Sequence, residues 1–148
     1  MFKLSPKSLS LSHDEDKLLK AANTAKIRAF AIYSGIKIGA ALLTDDGKVY
    51  AGCNIETALY HAEPGGYVSL AGYHSIHAEE AAVAIMTQSG QKRIKKILTV
   101  TDSSKPLMPC PLCAQVLKQF ASNDPEVIGV SANGKSVRTR LSKLLKQI

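Results

Sequence analysis

His77-Ala78-Glu79-Glu80-Ala81-Ala82-Val83-Ala84-Ile85-Met86, taken together with the later Pro109-Cys110-Pro111-Leu112-Cys113, decides how this chain is read. Glu79 to Met86 consists of good helix formers with no breaker, so His77 and Glu79 are expected at the start of a helix. Pro109 presets the backbone ahead of a second helix, since Leu112, Val116, Leu117 and Phe120 recur at helical spacing from Cys110 to Phe120. Both cysteines are therefore expected in the first turn of that helix. A helix N-terminus presents unpaired N–H groups and a partial positive charge, which favour a thiolate. His77, Cys110 and Cys113 thus form a candidate ligand set for Zn2+. Three protein ligands leave one tetrahedral position open, the arrangement that separates catalytic zinc from a closed four-ligand structural site. Glu79, two residues from a ligand, is the candidate proton carrier.

The other readings of these residues are poorer. A Cys-x-x-Cys pair can serve redox chemistry or half of a zinc knuckle. A four-cysteine knuckle is impossible because Cys53 is the only remaining thiol, and a redox pair leaves His77 and Glu79 without a role. Cys53 itself reads as a small apolar residue at a strand end. His61-Ala62-Glu63 repeats the tripeptide, but it runs into Pro64-Gly65-Gly66. A turn is expected there, not a helix start, so this copy is read as loop, with His61 left as a candidate to reach the pocket. Glu80 is expected to point away on the helix surface.

A chain of 148 residues, 45% hydrophobic, suffices for one core and predicts one domain over residues 1–148. There is no run of eighteen apolar residues, and Met1-Phe2-Lys3-Leu4-Ser5-Pro6 lacks the apolar segment of a secretory signal, so a cytoplasmic protein without membrane contact is expected. Three cysteines fit a reducing compartment. The net charge of +7 invites a nucleic-acid partner. The lysines and arginines are dispersed, however, with clusters only at Lys92-Arg93-Lys95-Lys96 and from Lys135 to Lys146, so nucleic acid is not the expected partner.

The rest of the chain alternates helix and strand. Ser12-His13-Asp14-Glu15 is a capping box, and Leu18, Leu19, Ala22, Ala25, Ala29 and Phe30 supply the apolar stripe of the helix after it. Gly39 to Leu43 and Val49 to Asn54 flank the Asp-Gly step of a tight hairpin. Ile94 to Thr101 and Val127 to Ser131 read as strands. Asn133-Gly134 turns the chain towards a short extended segment and a last helix near Leu141 to Leu145. This order predicts an α/β fold, a mixed sheet with helices on both faces.

The H-x-E…P-C-x-x-C order is an established signature of zinc-dependent nucleobase deaminases, and its presence here is a match to that known pattern. Tyr33-Ser34-Gly35-Ile36-Lys37-Ile38-Gly39-Ala40-Ala41, Gly52-Cys53-Asn54-Ile55-Glu56, Ala58-Leu59-Tyr60, His77-Ala78-Glu79 and Pro109 to Leu117 resemble the successive motifs of the cytidine deaminases, in that family's order. The resemblance implies a three-layer α/β/α fold with a central five-stranded mixed sheet and one zinc per chain. The implied reaction is hydrolysis of cytidine or deoxycytidine to the uridine and ammonia. It further implies a homotetramer, with a dimer as the alternative, and substrate contacts at Ile36, Asn54, Glu56 and Ala78. Among these the resemblance makes Asn54 and Glu56, two residues apart at the end of the second strand, the sugar ligands; an amide and a carboxylate on one strand face can hold neighbouring hydroxyls, though without the resemblance they read as ordinary strand-end polar residues.

Three departures from the family pattern set further expectations. His77 stands where many short members carry a third cysteine, and Ala114 where an arginine follows the last cysteine. The two changes belong together, since one histidine and two thiolates balance the ion's charge without the arginine. Ile36 replaces an aromatic, and the last residues, Leu144 to Ile148, supply none. Between Tyr60 and His77 the chain is about a dozen residues longer than the family's usual link. That extension, His61 to Ile76, is either a lid in which Tyr67 or Tyr73 covers the pocket or a surface insertion. A modified cytosine nucleoside of the blasticidin type is the competing substrate, and a zinc-stabilised nucleic-acid-binding module is the non-enzymatic alternative, which Glu79 argues against.

Overall fold

The computed structural model describes residues 7–66 and 68–147. The Asp46-Gly47 turn joins β2 (Ile38–Thr44) to β3 (Val49–Cys53), with Leu43 opposite Val49 and Gly39 opposite Cys53. β6 (Ile94–Thr101) lies antiparallel on the other side of β2, and β7 (Ala121–Val130) pairs parallel to β6. β8 (Lys135–Arg140) returns antiparallel to β7. These are the five strands of the expected mixed sheet. A two-residue strand, β1 (Lys7–Ser8), adds to its β8 edge, giving the order β1-β8-β7-β6-β2-β3.

Alternate strand residues face opposite sides, so the sheet needs cover on both. Ala41, Leu43, Leu98, Val100, Ile128 and Val130 pack against Leu18 and Ala22 of α1 (His13–Ile27). Ala40, Leu42, Ile97 and Val127 face α2 (Ala78–Gln88), α3 (Pro111–Phe120) and α4 (Leu141–Leu145). The architecture is therefore the expected α/β/α sandwich. α2 lies close on the sheet because β3 carries Gly52: a Cβ there would stand 2.5 Å from the Ala82 backbone nitrogen. Any side chain at residue 52 would lift the helix that carries His77 and Glu79.

The capping box at Ser12 and Glu15 is formed. Glu15 is buried as well, and its carboxylate takes both Arg138 guanidinium nitrogens at 2.9 Å and Lys96 Nζ at 2.7 Å. Arg138 foremost, then Lys96, hold this carboxyl at about 2 against the cost of burial. The start of α1 is thereby tied to β6 and β8.

Three expectations about elements need correction. The stripe of α1 does not extend to Phe30. The helix ends at Ile27, and the chain then runs beside residues 54–56, with Phe30 N–H donating to Asn54 O at 3.0 Å and Glu56 N–H to Phe30 O at 2.8 Å. β7 begins at Ala121 and not at Val127. Ser122-Asn123-Asp124-Pro125 looks like a turn, but Asn123 absorbs the irregularity in the left-handed region at φ 55°, which asparagine tolerates, and pairing resumes after a register shift. The largest difference concerns the extension. His61 to Ile76 is not a loop but most of a β-hairpin, β4 (Ile55–Ala62) with β5 (Val68–Ile76), forming its own two-stranded sheet. Thr57, Leu59, Tyr60, Leu70 and Tyr73 are strand formers, and Gly65 and Gly66 take the positive φ values, 91° and 86°, that the connecting turn requires. Tyr67 lies outside the described residues.

Candidate active site

Two helix N-termini and the end of the hairpin meet at the proposed metal ligands. β5 delivers the chain to His77, the N-cap of α2, with Ala78 and Glu79 as the first two helical residues. The backbone N–H of His77 donates to Glu80 Oε2 at 2.9 Å. Glu80 is therefore half-buried and fixes His77, instead of lying idle on the helix surface. Cys110 is the N-cap of α3, one position ahead of the helix in which it was expected, and its Sγ accepts from Cys113 N–H at 3.4 Å. Cys113 lies in the first turn, fully buried.

His77 Nδ1 stands 3.1 Å from Cys113 Sγ and 3.4 Å from Cys110 Sγ, and the three donor atoms all lie within 4.8 Å of one another. A zinc ion with bonds of about 2.0–2.1 Å to nitrogen and 2.3 Å to sulfur gives tetrahedral edges of roughly 3.5–3.8 Å, so the trio has the right size and chemistry for Zn2+. Among the described residues no other group of three such side chains gathers. Burial, then the charges of Glu79 and Cys110, push the Cys113 thiol well up. A divalent cation reverses that balance, because a coordinating thiol is deprotonated outright. Glu79, 7% exposed, lies beside the donors with Oε2 3.6 Å from Cys113 Sγ, and burial raises its carboxyl above the usual range.

His77, Glu79 and Cys110 line a cleft of about 380 Å³, within the usual size of a small-molecule site. Ala78 and Ile36 line it, as do Asn54 and Glu56. The last two do not share a strand as expected: β3 stops at Cys53, Asn54 lies between strands, and Glu56 belongs to β4. Both are buried and occupied. Asn54 Oδ1 accepts from Ile38 N–H at 2.8 Å and its Nδ2 donates to Ile36 O at 2.9 Å. Glu56 accepts from the Ser34 hydroxyl at 2.5 Å and from the backbone N–H groups of Tyr33 and Ser34 at 2.9 and 3.0 Å. Ser34, through its hydroxyl and then its backbone, and Tyr33 hold the Glu56 carboxyl below the usual range. Asn54 and Glu56 therefore shape segment 33–38 into one wall of the cleft.

Tyr73, one of the two tyrosines expected to cover the pocket, lines the cleft; sequence reasoning missed Ser75, Thr99 and Met108. Thr99 Oγ1 donates to Leu107 O at 2.7 Å, tethering the segment that leads to Cys110. Tyr73, Ser75 and His77 alternate along one strand face, a signal that is visible once the stretch is read as strand. His61 does not reach the cleft. Its ring pairs with Glu63 at 2.7 Å and Ser69 at 2.9 Å near the hairpin turn.

The sequence profile described as the cytidine and deoxycytidylate deaminase zinc-binding region matches residues 12–129. The chain belongs to this deaminase family. A cytidine deaminase from Sporosarcina psychrophila is 32% identical over 132 residues, covering 89% of this chain and 88% of the relative. Another from Halalkalibacterium halodurans is 32% identical over the same length, covering 89% and 91%. The crystal structure of a Burkholderia pseudomallei cytidine deaminase superposes with a TM-score of 0.71 at 29% identity, covering 90% of this deaminase and 96% of that chain.

Proposed function

We propose that this protein hydrolyses the 4-amino group of cytidine and deoxycytidine, releasing ammonia and the corresponding uridine. The observation that carries this reading is a buried carboxylate, Glu79, beside His77, Cys110 and Cys113 in a cleft of about 380 Å³. His77, Cys110 and Cys113 would hold the zinc, which would lower the pKa of water to about 7 and so supply a nucleophile at neutral pH. The chain's own work is proton movement. Glu79 takes the first proton of the attacking water and delivers it to N3, so that C4 becomes electrophilic; it then takes the second proton from the hydroxyl now on C4 and delivers it to the amino group, which leaves as ammonia while the C4 carbonyl forms. One carboxylate serves all of these because the transfers occur in sequence.

Asn54 and Glu56 are the proposed sugar ligands. Glu56 accepts three hydrogen bonds from protein, and a carboxylate offers about four acceptor sites, so one remains for a substrate hydroxyl. Among the described residues no lysine or arginine lines the cleft, which favours the neutral nucleoside over its phosphate. Exposed Phe30, Ile32, Tyr60 and Leu70 support a homo-oligomer, a tetramer as the resemblance implies. Free cysteines, two of them metal donors, suit a reducing cytoplasm, and no helix among the described residues is long and apolar enough to cross a membrane.

The test is ammonia release from cytidine, deoxycytidine, cytosine, blasticidin S and adenosine, with zinc measured on the same sample. Protein that holds about one zinc per chain and turns over neither cytidine nor deoxycytidine would refute the reading.

A further inference from the structure

The cleft has a wall that the proton chemistry does not require. β5 runs directly into His77, and its alternate residues Tyr73 and Ser75 line the cleft together with that histidine. Directly across the hairpin stand Ala58 opposite Tyr73 and Glu56 opposite Ser75, and residues paired in this way share a face. The Tyr73 ring stacks on Tyr33 with centroids 5.1 Å apart and planes 7° from parallel, while the Tyr33 N–H is held by Glu56. The hairpin is thus fastened twice to segment 33–36. Four strand steps separate Tyr73 from His77, about 13 Å at roughly 3.3 Å per residue, so Tyr73 stands at the end of the cleft away from the metal donors and Ser75 half-way.

The polar atoms at that end are mostly committed. The Ser34 hydroxyl donates to Glu56 and accepts from Ile36 N–H, Asn54 is engaged through both oxygen and nitrogen, and Thr99 donates to Leu107 O. Ser75 differs: among the described residues its hydroxyl makes no hydrogen bond, although it lines the cleft opposite Glu56. Tyr73, held against Tyr33 on one side, keeps 51% of its surface exposed. A free hydroxyl half-way along the cleft and a braced aromatic ring at its end, with no lysine or arginine among the described lining residues, match a neutral polyol with one apolar edge, which is what a nucleoside sugar presents.

We propose that Tyr73 and Ser75 are specificity-determining residues of this deaminase, with Ser75 Oγ hydrogen-bonding a sugar hydroxyl beside Glu56 and the Tyr73 ring covering the sugar's outer edge. The proposal rests on the cytosine nucleoside reading. It makes the hairpin the element that prefers a nucleoside over the free base.

The test uses zinc-loaded full-length protein, with zinc content and thermal melting recorded for each variant. Steady-state rates are measured on cytidine, 2′-deoxycytidine, 3′-deoxycytidine and cytosine, and uridine binding is measured by calorimetry. Ser75→Ala should raise KM for cytidine about three- to tenfold with kcat within about twofold, as loss of one neutral hydrogen bond implies. That penalty should vanish for the one deoxynucleoside lacking the hydroxyl that Ser75 binds. Tyr73→Ala should raise KM for all three nucleosides about fivefold or more and weaken uridine to match, with Tyr73→Phe close to the parent protein. If melting shows that alanine loosens the hairpin, Tyr73→Leu takes its place, since it keeps strand bulk without the ring. KM values and uridine affinity within twofold of the parent in Ser75→Ala and Tyr73→Ala, or equal losses on cytosine, would make the hairpin mere scaffold. Failure of the parent protein to deaminate any cytosine nucleoside would instead overturn the activity itself.

Discussion

The tripeptide His-Ala-Glu occurs at residues 61–63 and again at 77–79, and the two copies have different fates. In the first, His61 and Ala62 end β4 and Glu63 enters a turn, where its carboxylate is used up on the His61 ring and the Ser69 hydroxyl. In the second, His77 caps α2, Glu79 is buried, and two thiols from α3 complete the cluster. The next three residues separate the copies. Pro64-Gly65-Gly66 turns the chain, whereas Glu80-Ala81-Ala82 continues as helix and returns the Glu80 carboxylate to the His77 N–H. Identical side chains therefore gather with two thiols, one of them beside a buried carboxylate, only where a helix start fixes them and a second helix start faces them.

The comparison breaks most completely if the second copy works without its thiols. Cys110→Ala is expected to lose zinc and essentially all deamination, measured as metal content and ammonia release on one sample; full zinc occupancy in that variant would remove Cys110 from the ligand set. Glu79→Gln comes next. The amide is nearly isosteric but cannot carry a proton, so zinc and melting temperature should hold while kcat falls by about 10²–10⁴ or more. Turnover near the parent rate would reduce Glu79 to the same standing as Glu63.

The sequence reveals the second copy because each part of it is local. The helix formers after Glu79, the prolines around Cys110 and the capping box at Ser12 act within one or two turns of chain, so the sandwich, the donor trio and Glu79 are all legible. The hidden parts depend on pairing between distant segments. Pro64-Gly65-Gly66 looks like the middle of a loop until Val68 to Ile76 is laid against Ile55 to Ala62, and only then does Ser75 join Tyr73, already a candidate from sequence, on the strand face that lines the cleft. The carboxylate of Glu56 is similar: nothing at residue 56 announces that residues 33 and 34, more than twenty positions earlier, will claim it.

A finer test bears on the residue directly after the second tripeptide. Glu80→Ala removes the acceptor for the His77 N–H while leaving the ligand trio and Glu79 intact. A lost cap of this kind costs about 0.5–2 kcal/mol, so the melting temperature should drop by several degrees, while kcat/KM of zinc-saturated protein falls only a fewfold. Measured zinc affinity should weaken in the same direction, since His77 is then less firmly oriented. An unchanged melting temperature would mean that the start of α2 is fixed by its packing on Gly52 alone.

The smallest effect is expected at the first copy, and it is the one that decides whether position or composition matters. His61→Ala and Glu63→Gln delete the very groups that, sixteen residues later, are the proposed ligand and base. Here they lie at an exposed hairpin end, 55% and 41% accessible as side chains, bonded to each other and to Ser69. Exposed pairs of this sort contribute about 0.2–1 kcal/mol. Each variant should therefore keep its zinc, melt within a few degrees of the parent, and hold kcat/KM within about twofold on cytidine. A loss of zinc, or a rate deficit of tenfold or more in either variant, would place the first copy in the working site and undo the contrast between them.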